Sequence, residues 1–157
     1  MEPRQVRTAA DARAIVEERG ANHVKVGAFD IDGIMRGKYI SRDKFISSLD
    51  GGFGFCDVVL GWDCQDQLYD NVQYTGWHTG YPDAPVRLLP DTCRLLPFED
   101  NGLFFLGEFS PPAETVCPRG LLRRVLERGR AMGFEAYVGF EYEFFVFKET
   151  PESVREK

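Results

Sequence analysis

Basic charge is in short supply: nineteen Lys and Arg against twenty-five Asp and Glu leave the 157-residue chain at −6. The sequence pI is near 5.0. Nucleic acid needs a basic face, so it is excluded as an expected partner, and the acidity serves mainly solubility. Cysteine and histidine are also sparse. Cys56, Cys64, Cys93 and Cys117 stand far apart without a C-x-x-C pair, and only His23 and His78 accompany them. That spacing supplies no zinc site, and the expectation is reduced thiols filling apolar space. No apolar run approaches membrane-spanning length, and Met1-Glu2-Pro3-Arg4-Gln5 lacks the apolar core of a leader. The chain therefore reads as cytoplasmic, with no membrane partner. Internal repeats, low-complexity segments and a G-x-x-x-x-G-K-[ST] phosphate loop are all absent from the sequence.

What is present is apolar mass. Hydrophobic residues make up 43% and aromatics 13%, with thirteen Phe, enough to bury a core without disulfide staples. Thr8 is placed to cap a helix carrying Ala12, Ile15, Val16 and Arg19 at helical spacing, and Gly20 stops it. Two β-like runs follow, His23–Ile31 and Ile34–Ile40, and Asp32-Gly33 between them predicts a tight hairpin. Arg36 and Lys38 share one face of the second run, which predicts a solvated side. Ser41 caps a short helix through Leu49, and the glycines at 51, 52 and 54 break it. From Phe55 to Asp83 the pattern is irregular and too long for a connector, the mark of a functional loop.

Three apolar runs, Val86–Leu89, Cys93–Pro97 and Leu103–Phe109, predict antiparallel strands completing a sheet. Ser110-Pro111-Pro112 is a stiff linker and the expected domain boundary. Pro118 opens a helix with Leu121, Leu122, Val125 and Leu126 on its apolar face. Arg119, Arg123, Arg124, Arg128 and Arg130 cover the rest, and Gly133 ends it. Ala136–Phe147 is expected as a strand, and Thr150-Pro151-Glu152 carries a helix start signal. A strand and helix start followed so soon by Lys157 reads as the opening of a truncated domain.

Glu141-Tyr142-Glu143 is the sharpest local chemistry. In a strand the two carboxylates share a face, roughly 6–7 Å apart, while Phe140, Tyr142, Phe144 and Val146 line the other. Like charges held together suit a hard cation that takes oxygen ligands. A metal-dependent hydrolase is one generic use of such a pair, and two ordinary surface acids are the plain alternative.

The segment Gly139-Phe140-Glu141-Tyr142-Glu143-Phe144-Phe145-Val146-Phe147 resembles the G-x-E-x-E-F-F-x-F segment that begins the catalytic domain of the glutamine synthetase family. Asp30-Ile31-Asp32-Gly33-Ile34-Met35-Arg36-Gly37-Lys38 resembles its D-x-x-G-x-x-R-G-K hairpin. Gly54 to Asp57 and on to Gly61-Trp62 resembles its F-D-G-S-S-x-x-G-W segment. Asp83 with Leu89-Pro90-Asp91 matches its D-x-x-L-x-P-D element, and Pro118-Arg119 sits where its D-P-R helix begins. Each motif is weak alone; five in the family's order over residues 20 to 150 are strong together.

The resemblance implies an α+β chain: an N-terminal helix over 1–21, a β-grasp-like domain over 22–112, and the truncated start of the catalytic domain over 113–157. It implies an ATP-dependent ligase joining glutamate to ammonium or an organic amine through γ-glutamyl phosphate, with Mg²⁺ or Mn²⁺ as cofactor. By position, Glu143 ligates the metal nearer glutamate, Glu141 the metal bridging the ATP phosphates, and Asp57 is the catalytic aspartate of the ammonium site. The family builds that site across subunits, which implies a homo-oligomer. Where the family has F-D-G-S-S, this chain reads Phe55-Cys56-Asp57-Val58-Val59-Leu60, and both serines are gone. That loss points to an organic amine at least as readily as ammonia. The alternative is a non-catalytic member with a structural or regulatory role.

Overall fold

In the computed structural model, residues 1–156 are described. Thr8 opens the first helix, α1 (Ala9–Glu18), by a reciprocal cap. Asp11 N donates to Thr8 Oγ1 at 3.1 Å, and Thr8 N donates to Asp11 Oδ2 at 2.9 Å. Ala12, Ile15 and Val16 are fully buried, as their spacing predicts. Gly20 turns the chain out at a φ of 62°.

Strand β1 (His23–Phe29) then pairs antiparallel with β2 (Met35–Ser41), from His23↔Ser41 to Phe29↔Met35. The connection is wider than the two-residue turn expected at Asp32-Gly33. Asp30, fully buried, accepts at Oδ1 from Asp32 N at 3.0 Å and Ile34 N at 2.8 Å. An aspartate that satisfies backbone donors two and four residues ahead holds a broader loop, and Gly33 supplies the positive φ of 80° within it.

Ser41 caps α2 (Arg42–Gly51), whose Phe45 is buried with its ring 4.7 Å from that of Phe105. Gly52 ends the helix at a φ of 69°, where a Cβ would lie 2.6 Å from the Val86 carbonyl oxygen, so the close approach requires glycine. Strands β3 (Phe53–Cys56), β4 (Asp83–Leu95) and β5 (Leu103–Phe109) complete a five-stranded mixed sheet in the order β2-β1-β5-β4-β3. Strand β5 is parallel to β1 and antiparallel to β4. The first two runs expected as separate strands fuse into β4, with an irregularity between Leu89 and Arg94. Pro90 has no N–H to give the ladder. Thr92 Oγ1 repairs the gap, donating to Leu89 O at 2.6 Å and accepting from Leu106 N at 2.8 Å.

The sheet curls until its outer strands approach. Lys38 on β2 donates from Nζ to Gly54 O on β3 at 3.0 Å, and stands 4.9 Å above the Phe55 ring. A lysine on an edge strand also discourages pairing with a foreign strand. Inside the curl lies one core running from Val6 to Cys117, with contributions from α1, α2 and all the strands.

Helix α3 (Pro118–Ala131) begins with Pro at its first position. Two of its arginines, Arg119 and Arg123, reach the sheet as ion pairs. Glu108, 5% exposed on β5, is held by Arg87, by Arg119 Nε at 3.5 Å and by Arg123 Nη1 at 3.3 Å. Leu121, Leu122 and Val125 are each more than half exposed, so the expected apolar face is uncovered. Helix α4 (Pro151–Arg155) starts at Thr150, whose Oγ1 accepts from Ser153 N at 3.2 Å.

The strand expected over Ala136–Phe147 does not form: the segment has no regular secondary structure and no ladder partner. A strand exists only through its neighbours, and no strand of the sheet pairs with this segment. The aromatic row expected to be buried is instead open, with Phe140, Tyr142, Phe144 and Val146 between 79% and 86% exposed. Among the described residues no helix is long and apolar enough to cross a membrane.

Candidate functional site

Asp57 follows the last residue of β3 and opens a single 3₁₀ turn, Asp57–Leu60. Its backbone N donates to Pro82 O at 3.0 Å, and the neighbouring pair Cys56↔Asp83 begins the ladder of β3 with β4. Residues 57 to 82 are therefore one excursion closed at its neck, with Asp57 at the foot. Gly54 allows this neck, because a Cβ there would lie 2.5 Å from an Asp83 carboxylate oxygen.

The side chain of Asp57 is 4% exposed, and Oδ1 accepts from Thr75 Oγ1 at 2.6 Å. Thr75, fully buried, returns from the far limb of the excursion. Next to it Tyr74 has its hydroxyl pKa raised by burial and, secondarily, by the Asp57 charge. Tyr74 lines an open concavity of about 570 Å³ with Ile31, Leu60, Tyr69, Val72, Gln73 and Val116. Tyr69 is raised in the same sense, first by burial and then by Asp32 and Asp63. Asp57 does not itself line this largely apolar, tyrosine-edged hollow, but Tyr74, next to its partner Thr75, does. An acid so near such a hollow suits the holding of a small cation or an amine with an apolar tail.

The excursion is tied down along its length. Asp63 Oδ1 accepts from Gln65 N at 2.8 Å and Gln67 N at 2.9 Å, and Tyr69 N donates to Gly61 O at 2.9 Å. Arg36 joins it to the β1–β2 loop. Its Nε donates to Asp30 Oδ2 at 2.8 Å, its Nη1 meets Asp66 Oδ1 at 2.7 Å, and its guanidinium lies 5.0 Å over the Trp62 ring. The Asp30 hydrogen bond is the main reason the Arg36 pKa is raised. Arg36 was expected on a solvated face; the acids of two loops draw it inward instead.

Glu141 and Glu143 lie on the exposed segment after α3 and take part in no hydrogen bond or ion pair among the described residues. The structure does not bring them to Asp57. Their oxygen donors are of the type Mg²⁺ or Mn²⁺ accepts, but among the described residues no three His, Cys, Asp or Glu gather to hold a metal. The sequence reading missed Thr75, Asp66 and Glu108. No local pattern marks them, since each acts on a residue far along the chain; Arg36 was at least present in the quoted hairpin motif.

The fold and the site define an α+β sheet domain carrying a buried acid beneath an ordered excursion. A family model described as the catalytic domain of glutamine synthetase matches residues 115–157. The type-1 glutamine synthetase 2 of Dictyostelium discoideum is 43% identical over 138 residues, which cover 85% of this chain and 26% of that protein. The glutamate–isopropylamine ligase of a Pseudomonas species is 32% identical over 149 residues, covering 90% and 32%. Plasmodium falciparum glutamine synthetase, solved by cryo-EM, shares the fold with a TM-score of 0.56 at 13% identity over 80% of this chain and 23% of that one. The chain belongs to the glutamine synthetase family. It spans about a quarter to a third of the length of the curated relatives it matches.

Proposed function

We propose that this chain is the N-terminal part of an ATP-dependent ligase that joins the γ-carboxyl of glutamate to ammonium or a small organic amine. The supporting observation is Asp57: one buried carboxylate, fixed at one oxygen, beside an apolar hollow, at the position of the family's ammonium-site aspartate. In this reading ATP phosphorylates the γ-carboxylate and the amine nitrogen attacks the acyl phosphate. The new C–N bond forms as the phosphate leaves, and Asp57 accepts the proton the amine gives up. Glu141 and Glu143 would contribute oxygen ligands to a divalent cation, which when bound supplies charge neutralisation for the phosphates.

An organic amine is favoured over ammonium. With Asp57 at the family's aspartate, Val59 and Leu60 stand where the family has serines, and both are buried. Tyr69, Val72 and Tyr74 then give an alkyl tail an apolar wall. A relative named as an isopropylamine ligase fits the same preference. The curled sheet, with a helix following its first hairpin and a parallel central pair, is read as β-grasp-like over residues 22–112, with the catalytic domain beginning at 113. Subunits of a homo-oligomer would complete one another's sites.

The test is steady-state kinetics of the full-length enzyme with ammonium and a panel of small amines. The expected result is ATP- and glutamate-dependent phosphate release with higher kcat/KM for an alkylamine, lost by about a hundredfold or more in Asp57→Asn. Unchanged kinetics in that variant would refute the role of Asp57, and a preference for ammonium would refute the amine assignment.

A further inference from the structure

We infer that Thr75 is the positioning residue of the amine site, orienting Asp57 so that a single carboxylate oxygen is presented to the incoming nitrogen. The inference rests on Asp57 being the amine-binding acid. Thr75 and Asp57 are 18 residues apart, yet Oγ1 donates to Oδ1 at 2.6 Å with both side chains enclosed. That hydroxyl makes no other hydrogen bond among the described residues, and no described residue donates to Oδ2. Nor is Oδ2 sealed away: among the described residues, the enclosed side-chain polar atoms without a hydrogen bond belong to Arg19, Arg36, Trp62, Tyr81 and Arg119. One oxygen is thus occupied by the protein, and the other is left for a ligand.

The threonine methyl sets the direction of the hydroxyl. A Cβ at Gly61 would fall 2.9 Å from Thr75 Cγ2, so the methyl packs against the bare glycine backbone. A β-branched side chain has few χ1 choices, and a wall against its methyl leaves the hydroxyl one direction. Gly61 is itself held, its carbonyl accepting from Tyr69 N at 2.9 Å. The order of dependence runs from the fixed near limb of the excursion, through the Thr75 methyl, to the orientation of Asp57.

Kinetics of the full-length enzyme, with ammonium chloride and isopropylamine as probes, test the assignment. Thr75→Val keeps the shape and removes the hydroxyl. The KM for the preferred amine should rise roughly ten- to a hundredfold, the scale of a lost hydrogen bond to a charged group, while the KM values for glutamate and ATP hold. Thr75→Ser should recover most of that loss. Gly61→Ala, which pushes on the methyl and leaves the hydroxyl in place, should move the amine KM in the same direction and keeps the question decidable if Thr75→Val does not fold. An unchanged amine KM in these variants, or an equal rise for all three substrates, overturns the inference. If Asp57→Asn raises the amine KM and Thr75→Val does not, Thr75 fails alone and the reading of Asp57 stands. If Asp57→Asn has no effect, both fall.

Discussion

Cys93 lies fully buried in β4, where desolvation pushes its thiol up to about 11 from an ordinary 9.0. Only the thiolate is a good nucleophile, so native Cys93 should resist alkylation at pH 8 while exposed Cys64 reacts. Mass spectrometry of iodoacetamide-treated protein, native and then denatured, would check this, and early labelling of Cys93 would contradict it. The linkage has a definite sign. Between about pH 9 and 11 the unfolded chain loses this proton and the folded one keeps it, so stability falls as pH rises through that window. Cys93→Ala should flatten that alkaline limb in denaturant titrations. At this scale the sequence was informative where a residue's neighbours in the chain define its task. Reduced thiols filling apolar space were expected; Cys93 and Cys117 are buried, whereas Cys56 is half-buried and Cys64 exposed. Asp57 was singled out through a motif, whereas its hydrogen-bond partner Thr75 was not, because a hydrogen bond across 18 residues leaves no local pattern.

Among the elements, α1, α2 and α4 were legible because each cap acts within three residues, as Thr8 with Asp11 and Thr150 with Ser153 demonstrate. The β1–β2 turn and the fused β4 were not, since buried Asp30 and the hydroxyl of Thr92 override local turn and breaker rules. The stretch from Phe55 to Asp83 was expected to be a functional loop, yet nothing in its composition told that Arg36 would anchor it. Arg36→Ala should strip the charged partner from buried Asp30 and free Asp66 and Trp62 together. The expected cost is about 2 kcal/mol, below that of a fully buried pair because Arg36 is 22% exposed. Hydrogen exchange should quicken over residues 61–69 more than over the sheet. Arg36→Lys should restore only part of the protection, because one ammonium cannot serve Asp30, Asp66 and the Trp62 ring at once. Equal exchange in all three proteins would refute the anchor.

Across the whole molecule, apolar burial is divided sharply. The core draws every member from Val6 to Cys117, while Phe134, Tyr137, Phe144 and Phe147 are each 66% exposed or more. The expectation of a strand over 136–147 failed for this reason of scale: its alternation was readable, but a ladder is a property of the neighbours, and none of the five strands pairs with it. Folding free energy tracks area removed from water, so this segment contributes little to holding the sheet together. Its aromatic row forms an apolar surface of the kind that drives association. A chain ending at Gly133 keeps α3 and its arginine contacts to Glu108. It should melt at the same temperature as the 157-residue chain, bind far less of an apolar dye such as ANS, and lose concentration-dependent association in sedimentation. A substantial fall in melting temperature on removing residues 134–157 would mean that the segment packs on the sheet in solution, and would overturn this division of the core.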